Sequence, residues 1–228
     1  MSLINKVNKL VIPLSSMAEC IGQAVCCLKG GGIVALPTDT IYGIAVTLEH
    51  TKKLYEVKRR ASNKPVAVCL PSVSEIEKYA VLTIPSSLLN ALLPGPYTLL
   101  FERSDGLPDI VNPGVPLVGI RVVRSVFIAE VCRQVGQPLA LTSANVSNST
   151  NSLAVSDFHD LFPYLSLVID GGTIQSDLPR HLSGSTVIDL SIPGHYKIVR
   201  EGRGLSHGVS LLTHPDYNLS LSCDKCHC

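Results

Sequence analysis

Short apolar segments rich in β-branched residues recur along this chain, and helical patterns lie between several of them. Their length and composition are typical of strands that are buried on both faces. They include "IVAL", "PVAVCL", "YTLLF", "VGIRVV", "PLAL", "LSLVID", "STVIDL" and "YKIVR". Two of the intervening segments, 16–29 and 126–135, have apolar residues at helical spacing, and the first begins with a capping-box pattern at Ser16 and Glu19. Strands that interleave with helices predict an α/β fold with a twisted, mixed sheet and flanking helices.

The chain reads as one domain. It has 228 residues, of which 46% are hydrophobic and 16% charged, without an internal repeat or a long linker. We therefore expect a single domain over 16–211, an N-terminal segment over 1–15 and a flexible cysteine-containing tail over 212–228. No apolar run approaches the roughly 18 residues of a membrane helix, and the first residues lack a signal-peptide pattern. These features predict a cytoplasmic protein, or also a mitochondrial one if a leader precedes this sequence.

Eight cysteines divide into two groups. Five of them, Cys20, Cys26, Cys27, Cys69 and Cys132, lie inside apolar segments and are expected to be small buried hydrophobes. Cys223, Cys226 and Cys228 crowd the last residues and, with His227, could bind zinc. A second pair of ligands is missing from the sequence pattern, so we favour a loose tail and predict no metal site.

Small polar residues follow the first buried strand directly. Thr38, Asp39 and Thr40 stand between "IVAL" and Tyr42-Gly43. Such residues are typical of ligand sites at the ends of strands in α/β proteins. They are equally typical of a turn that caps the next element, so the motif alone leaves both interpretations open.

The strongest charge cluster is "KRRASNK", with Lys58, Arg59, Arg60 and Lys64. A solvated helix face is the ordinary interpretation of such a cluster. However, it ends in a turn that leads into a buried strand, where cations suit phosphate groups because they form charge-assisted hydrogen bonds. The net charge of the whole chain is only +1, so any attraction of anions must be local.

Two further features point to anion binding. The segment after "PLAL" is rich in hydroxyl and amide side chains from Thr142 to Ser152, a composition suited to a cradle for an anion. Arg121 lies within an apolar strand, and a buried cation needs a partner. Asp170 or Asp189 is the structural option for that partner, and a substrate anion is the functional one.

Several catalytic motifs are absent from the sequence. It contains neither the P-loop nor the dinucleotide fingerprint, and neither H-E-x-x-H nor G-x-S-x-G. A zinc hydrolase or a hydrolase with a covalent intermediate is therefore disfavoured.

Taken together, seven motifs resemble the YrdC/Sua5 family of threonylcarbamoyl-AMP synthases in order and approximate spacing. They are "ALPTDTIYGI", "KRRASNKP", "LLPGPYTLLF", "GIRVV", "LTSANVSN", "STVIDL" and "IVREG". The resemblance covers roughly 16–205, and the length and tail resemble the short YrdC type found in animals.

The resemblance implies a concave basic cavity and a nucleotidyltransferase reaction. L-threonine, bicarbonate and ATP would give threonylcarbamoyl-adenylate and pyrophosphate for the t6A modification of tRNA. It implies catalytic roles for Lys58, Arg60 and Lys64, with Arg60 and Lys64 at the ATP phosphates. The other implied threonine-site residues are Thr40, Cys69, Arg121, Leu141 and Ser185, and the other implied ATP-site residues are Leu117, Ser143, Asn145, Asn151 and Arg200.

The resemblance further implies magnesium that enters with ATP, and a downstream threonylcarbamoyl-transferase complex that acts on tRNA. The alternative is a non-catalytic module that binds double-stranded RNA or tRNA, although such proteins are usually more basic. A carbamoyl-transfer relative of the hydrogenase-maturation type is a third possibility, but those proteins carry additional domains.

Overall fold

A computed structural model describes residues 11–58, 65–146 and 150–222. Its α-helices are α1 (Met17–Lys29), α2 (Thr51–Lys58), α3 (Ser86–Leu92), α4 (Val126–Val135) and α5 (Leu205–Leu212). Its strands are β1 (Val11–Pro13), β2 (Val34–Pro37), β3 (Tyr42–Thr47), β4 (Ala67–Cys69), β5 (Ala80–Val81), β6 (Tyr97–Arg103), β7 (Leu117–Arg121), β8 (Leu139–Ser143), β9 (Leu167–Asp170), β10 (Thr186–Asp189), β11 (His195–Arg200) and β12 (Ser220–Leu221). Short 3-10 helices cover Leu48–His50, Val73–Lys78, Val155–Tyr164 and Arg180–Leu182.

The strands form one mixed sheet in the order β1-β9-β2-β3-β8-β4-β7-β6-β10-β11-β12, with β5 paired to β6. In its centre, β3 and β4 both pair antiparallel with β8, and β4 pairs parallel with β7. The strands β10 and β11 continue the sheet beyond β6. The predicted α/β class with a mixed sheet and flanking helices is confirmed.

Alternation along the strands gives the sheet two different faces, because successive side chains point to opposite sides. On one face, Ile44, Leu99 and Ile120 belong to the larger apolar core, which α2 and α3 help to cover. On the other face, α1 and α4 pack over one part of the sheet, on a second cluster that includes Val34 and Leu139. Among the described residues no helix covers the rest of this second face, and this part lines the cavity described below.

Both predicted helices form, but the N-terminal cap of α1 differs from the predicted one. Helix α4 has the predicted bounds; the Ser125 hydroxyl accepts a hydrogen bond from the Ile128 amide, and Gly136 ends the helix with a positive φ of 86°. Ser16 is the N-cap of α1, but its side chain makes no capping hydrogen bond, so the predicted capping box is wrong. The apolar face of α1 is held by packing instead.

Burial corrects two expectations about individual side chains. Cys20, Cys69 and Cys132 are buried as predicted, whereas Cys26 is exposed and Cys27 is half-buried at the edge of the second apolar cluster. A solvated helix face, the ordinary interpretation of the charge cluster, would leave the lysines of α2 pointing outward. Lys52 and Lys53 do point outward, but Lys58 is only 2% exposed.

The ordered domain extends beyond the predicted bounds at both ends. Strand β1 pairs with β9, so part of the N-terminal segment belongs to the sheet. Residues 212–222 were predicted to belong to a flexible tail. In the structure they are part of the domain, because Leu212 and Leu219 are buried and β12 pairs with β11. The cysteine cluster at 223–228 lies outside the described residues. No helix in the described part of the chain is long and apolar enough to cross a membrane.

Candidate functional site

A cavity of about 910 Å³ lies against the uncovered part of the second sheet face. The cavity has space directly above the sheet because the lining residues from three central strands are small, namely Gly43, Ala67 and Gly119. A methyl group on Gly43 would lie 2.8 Å from Leu141 Cδ1, and one on Gly119 would lie 3.1 Å from Thr98 Cγ2. Any larger residue at these positions would therefore fill the space that a ligand needs.

Six of the residues implied by the resemblance line this cavity. They are Leu117, Arg121, Leu141, Ser143, Ser185 and Arg200. They come from β7, β8 and β11, which are far apart in sequence, and from Ser185, which directly precedes β10. Within the described residues the lining carries two arginines and no carboxylate, so the cavity suits an anionic ligand.

Arg121, at the end of β7, pairs with Asp39 rather than with Asp170 or Asp189. Its Nη2 donates to Asp39 Oδ1 over 2.6 Å, and the two side chains are 8% and 11% exposed. The same Nη2 lies 3.5 Å from Thr40 Oγ1. The sequence motif left Asp39 open between a turn and a ligand site, and its role as the partner of Arg121 was missed.

One donor of Arg121 lacks a partner. Its Nε is buried and makes no hydrogen bond to any of the described residues. A buried N–H without an acceptor is uncommon in folded proteins, because it has lost its water without replacement. Arg121 lines the cavity, so its charged side chain is available to an anionic ligand there.

The turn before β3 presents two hydroxyl groups beside Arg121. Thr38 Oγ1 donates to the Ile41 carbonyl over 2.6 Å and accepts the amide of Thr40. It also lies 3.1 Å from Thr40 Oγ1, and both threonines are buried. Thr38 lines the cavity, whereas Thr40 lies next to it. The motif thus forms a turn and contributes to the cavity at the same time.

A second polar group lies at β6, β10 and β11. Arg200 Nη2 donates to the Ser185 carbonyl over 2.8 Å and to Ser185 Oγ over 3.0 Å. Ser185 Oγ in turn lies 2.8 Å from Thr98 Oγ1. Thr98 lines the cavity as well, and only the register of β6 against β10 could have identified it, since its sequence context is an ordinary apolar strand.

Lys58 is buried against the segment that follows β8. Its Nζ lies 2.7 Å from the Ser143 carbonyl, 2.9 Å from Ser143 Oγ and 3.0 Å from Asn145 Oδ1. The structure thus brings Lys58, to which the resemblance gave a catalytic role, together with Ser143 and Asn145, which it placed at the nucleotide. Arg60 and Lys64 lie outside the described residues, and their roles at the phosphates stay predictions.

Two other predicted residues lie beside the cavity rather than in its lining. Asn151 Nδ2 donates to the Arg180 carbonyl over 2.7 Å. Cys69 pairs in register with Arg121 but belongs to the apolar cluster beneath α4, where Cys132 Sγ approaches its carbonyl at 3.8 Å. A hydrogen bond from the Cys132 thiol, with help from the charge of Arg121, lowers the pKa of Cys69 against the opposing effect of burial.

Tyr42 fixes the loop after β9 to the cavity wall. Its hydroxyl donates to the Gly172 carbonyl over 2.7 Å and accepts the Gly171 amide at 2.9 Å. Burial raises the pKa of Tyr42 to about 12. The tyrosine therefore stays protonated and serves as a structural donor.

Comparison with known proteins places the chain in a family. The Sua5, YciO and YrdC family model, described as "Telomere recombination", matches residues 26–202. The threonylcarbamoyl-AMP synthase of Rattus norvegicus is 45% identical over 202 residues, which are 87% of this chain and 72% of that protein. The threonylcarbamoyl-AMP synthase of Homo sapiens is 45% identical over 198 residues, with 85% and 71% covered.

A solved structure supports the same fold. P. abyssi Sua5 complexed with L-threonine superposes with a TM-score of 0.76, covering 93% of this chain and 62% of that one. At 22% identity this similarity shows the fold alone. With the family model and the mammalian relatives, the conclusion is that the chain belongs to the Sua5/YrdC family.

Proposed function

We propose that this chain is a threonylcarbamoyl-AMP synthase, a nucleotidyltransferase that forms threonylcarbamoyl-adenylate and pyrophosphate from L-threonine, bicarbonate and ATP. The observation that carries the proposal is Arg121, a buried cation at the cavity whose Nε has no partner among the described residues. The 45% identity to relatives that bear this name supports it.

The two polar groups of the cavity suit the two larger substrates. Arg121 with Thr40 would bind the carboxylate of threonine, since arginine donors match a carboxylate. Ser143, Asn145 and Arg200 would contact the nucleotide, with Lys58 holding the Ser143 segment in place. Arg60 and Lys64 would meet the ATP phosphates.

The reaction needs no nucleophile from the protein. The threonine amine attacks the carbon of bicarbonate and gives a carbamate with loss of water. A carbamate oxygen then attacks the α-phosphorus of ATP, the bond from that phosphorus to the bridging oxygen breaks, and pyrophosphate leaves. The residues of the cavity contribute by orienting the reactants and by stabilising charge.

The unstable intermediates explain why a deep cavity is useful. A free carbamate and a mixed anhydride are both lost to water, so a site that excludes water protects them. Magnesium would neutralise phosphate charge. No group of three or more His, Cys, Asp or Glu in the described residues could hold a metal ion, so we propose that magnesium enters with ATP.

We further propose that the product passes to a threonylcarbamoyl-transferase complex that acts on tRNA. We also propose that the protein works in the cytoplasm, and in mitochondria as well if a leader exists.

The alternative is a non-catalytic module that binds RNA directly. Such binding would weaken steeply with salt and would ignore threonine.

The decisive experiment measures pyrophosphate release with purified protein, ATP and magnesium, omitting threonine and bicarbonate in turn. We expect release that requires both, together with threonylcarbamoyl-adenylate in the products. Release that ignores threonine, or the absence of that adenylate, would refute the proposed activity. Binding of tRNA in a salt titration without turnover would support the alternative.

A further inference from the structure

Asp39 connects the turn after β2 to the end of β7. Its Oδ1 accepts from Arg121 Nη2 over 2.6 Å, and its Oδ2 accepts the backbone amide of Arg124 over 3.0 Å. The carboxylate therefore bridges a side chain at the cavity and the main chain that follows the same strand.

The main-chain contact restrains the carboxylate. An amide that belongs to the backbone cannot rotate away as a side chain can, and the Arg124 guanidinium is itself held by the Pro94 carbonyl at 3.1 Å and 3.2 Å. The carbonyl of Asp39 lies 3.5 Å from Arg203 Nη1, on the segment that pairs with Ser185. The position of Asp39 is therefore set from both sides of the cavity.

The restrained carboxylate determines how Arg121 lies. A guanidinium is planar, so fixing Nη2 on Asp39 restricts the orientation of the whole group, Nε included. Without Asp39, Arg121 would be a buried cation without an anionic partner and would turn toward other acceptors. With Asp39, the pair is charge-compensated and Nε remains a donor without a partner among the described residues.

We infer that Asp39 is a positioning residue, which orients Arg121 so that the guanidinium can donate to the carboxylate of the amino-acid substrate. This inference rests on the proposed function. It differs from a merely structural ion pair, which would stabilise the turn but would leave the affinity for threonine unchanged.

The test is a double-mutant cycle of D39N and R121K with threonine binding measured by calorimetry. D39N keeps the shape of the side chain but removes the charge and one of its two acceptors. We expect D39N alone to weaken threonine binding roughly 10- to 100-fold, with the KM for threonine rising in parallel and the KM for ATP within about twofold. In the R121K background, D39N should weaken binding by less than about threefold, because Asp39 acts through Arg121.

Asp157 offers a matched control away from the cavity lining. It also pairs with an arginine, Arg180 at 2.9 Å, and also accepts backbone amides, those of Leu153 and Ala154. D157N should lower the melting temperature and leave threonine binding within about twofold. If D39N behaves in the same way, the positioning role is refuted in favour of a structural one.

Two other outcomes would also overturn the inference. An equal weakening by D39N in the wild-type and R121K backgrounds would show that Asp39 does not act through Arg121. If D39N does not fold, D39E keeps the carboxylate on a longer side chain, and threonine binding within twofold of wild type despite the displaced carboxylate would refute the need for this position. Failure of the proposed function is distinct, since the wild-type protein would then neither bind threonine nor form the adenylate.

Discussion

Lys58 Nζ lies 2.9 Å from Ser143 Oγ, so a charged side chain at the end of α2 is buried against the end of β8 and the segment that follows it. The same ammonium group lies 2.7 Å from the Ser143 carbonyl and 3.0 Å from Asn145 Oδ1. The segment's shape therefore depends on one cation from a helix more than 80 residues earlier in the chain.

Removing the Lys58 charge should damage both stability and nucleotide use. K58M removes the charged donor of the Ser143 carbonyl and the Asn145 amide oxygen, which keep only the Asn145 amide and the Ser143 hydroxyl, so we expect the free energy of unfolding to fall by about 1–3 kcal/mol. Urea denaturation measures this loss. We also expect the KM for ATP to rise at least roughly fivefold in a pyrophosphate-release assay, because the residues at the nucleotide lose their support.

The same substitution on the outer face of α2 is the control. Lys52 is exposed and lies 3.9 Å from Glu56 in a surface pair. K52M should change stability by less than about 0.5 kcal/mol and leave the KM for ATP unchanged. Equal effects of K58M and K52M would contradict the role given to Lys58.

R121K should raise the KM for threonine without raising the KM for ATP. Lysine keeps the positive charge, but it lacks the planar fork that Asp39 orients and therefore also the Nε donor. We expect the KM for threonine to rise roughly tenfold or more, while the KM for ATP stays within about twofold, measured by pyrophosphate release. R133K on α4, where the side chain is half-exposed and pairs with Glu130 at 3.4 Å, should change neither constant. If R121K raised the KM for ATP as much as the KM for threonine, a role of Arg121 that is specific to threonine would be contradicted.

G43A should fill the floor of the cavity. The added methyl group would lie 2.8 Å from Leu141 Cδ1 and 3.2 Å from the Thr142 carbonyl, so the neighbours must shift. We expect a loss of about 1–3 kcal/mol in the free energy of unfolding and weaker substrate binding.

Gly22 provides a control for which the same substitution should raise the free energy of unfolding instead of lowering it. It is an exposed residue of α1, and a methyl group there would meet nothing within 4 Å. G22A should stabilise the protein by about 0.5–1 kcal/mol, because alanine favours the helix, and should leave binding unchanged. Stabilisation by G43A, with binding retained, would show that Gly43 is not needed for the space of the cavity.

Y42F should change the dependence of stability on alkaline pH. The folded-state pKa of about 12 lies above the ordinary value of 10.0, mainly because burial disfavours the phenolate. The contribution of Tyr42 is therefore fully present below pH 10 and is lost as pH rises through about 12. We expect the wild-type stability to fall more steeply than that of Y42F between these values.

Below pH 10, Y42F should also be less stable by about 1–3 kcal/mol, because the Gly171 amide and the Gly172 carbonyl lose their partner. Stability curves from chemical denaturation at several pH values measure both effects. Parallel curves for the two proteins across the alkaline range would contradict the raised pKa.

The sequence alone predicted the elements whose patterns are local. Helix α4 has the predicted bounds because its apolar spacing and terminal Gly136 act within one segment. The central strands were predicted for the same reason. Strand β3 was not recognised, since its start lies inside the polar motif, and it became a strand through pairing with β2 and β8.

The partners within the site were decided by the tertiary structure. A buried Arg121 predicted a partner, but Asp39, 82 residues away, takes that place. Asp170 instead accepts from the Gly172 amide, and Asp189 accepts from Ser191. Lys58 likewise had the sequence context of a solvated lysine and is buried only because β8 ends beside α2. The sequence specified that the charges and hydroxyls exist near strand ends. Which of them meet depends on strand order and register, since these set distances that no local pattern contains.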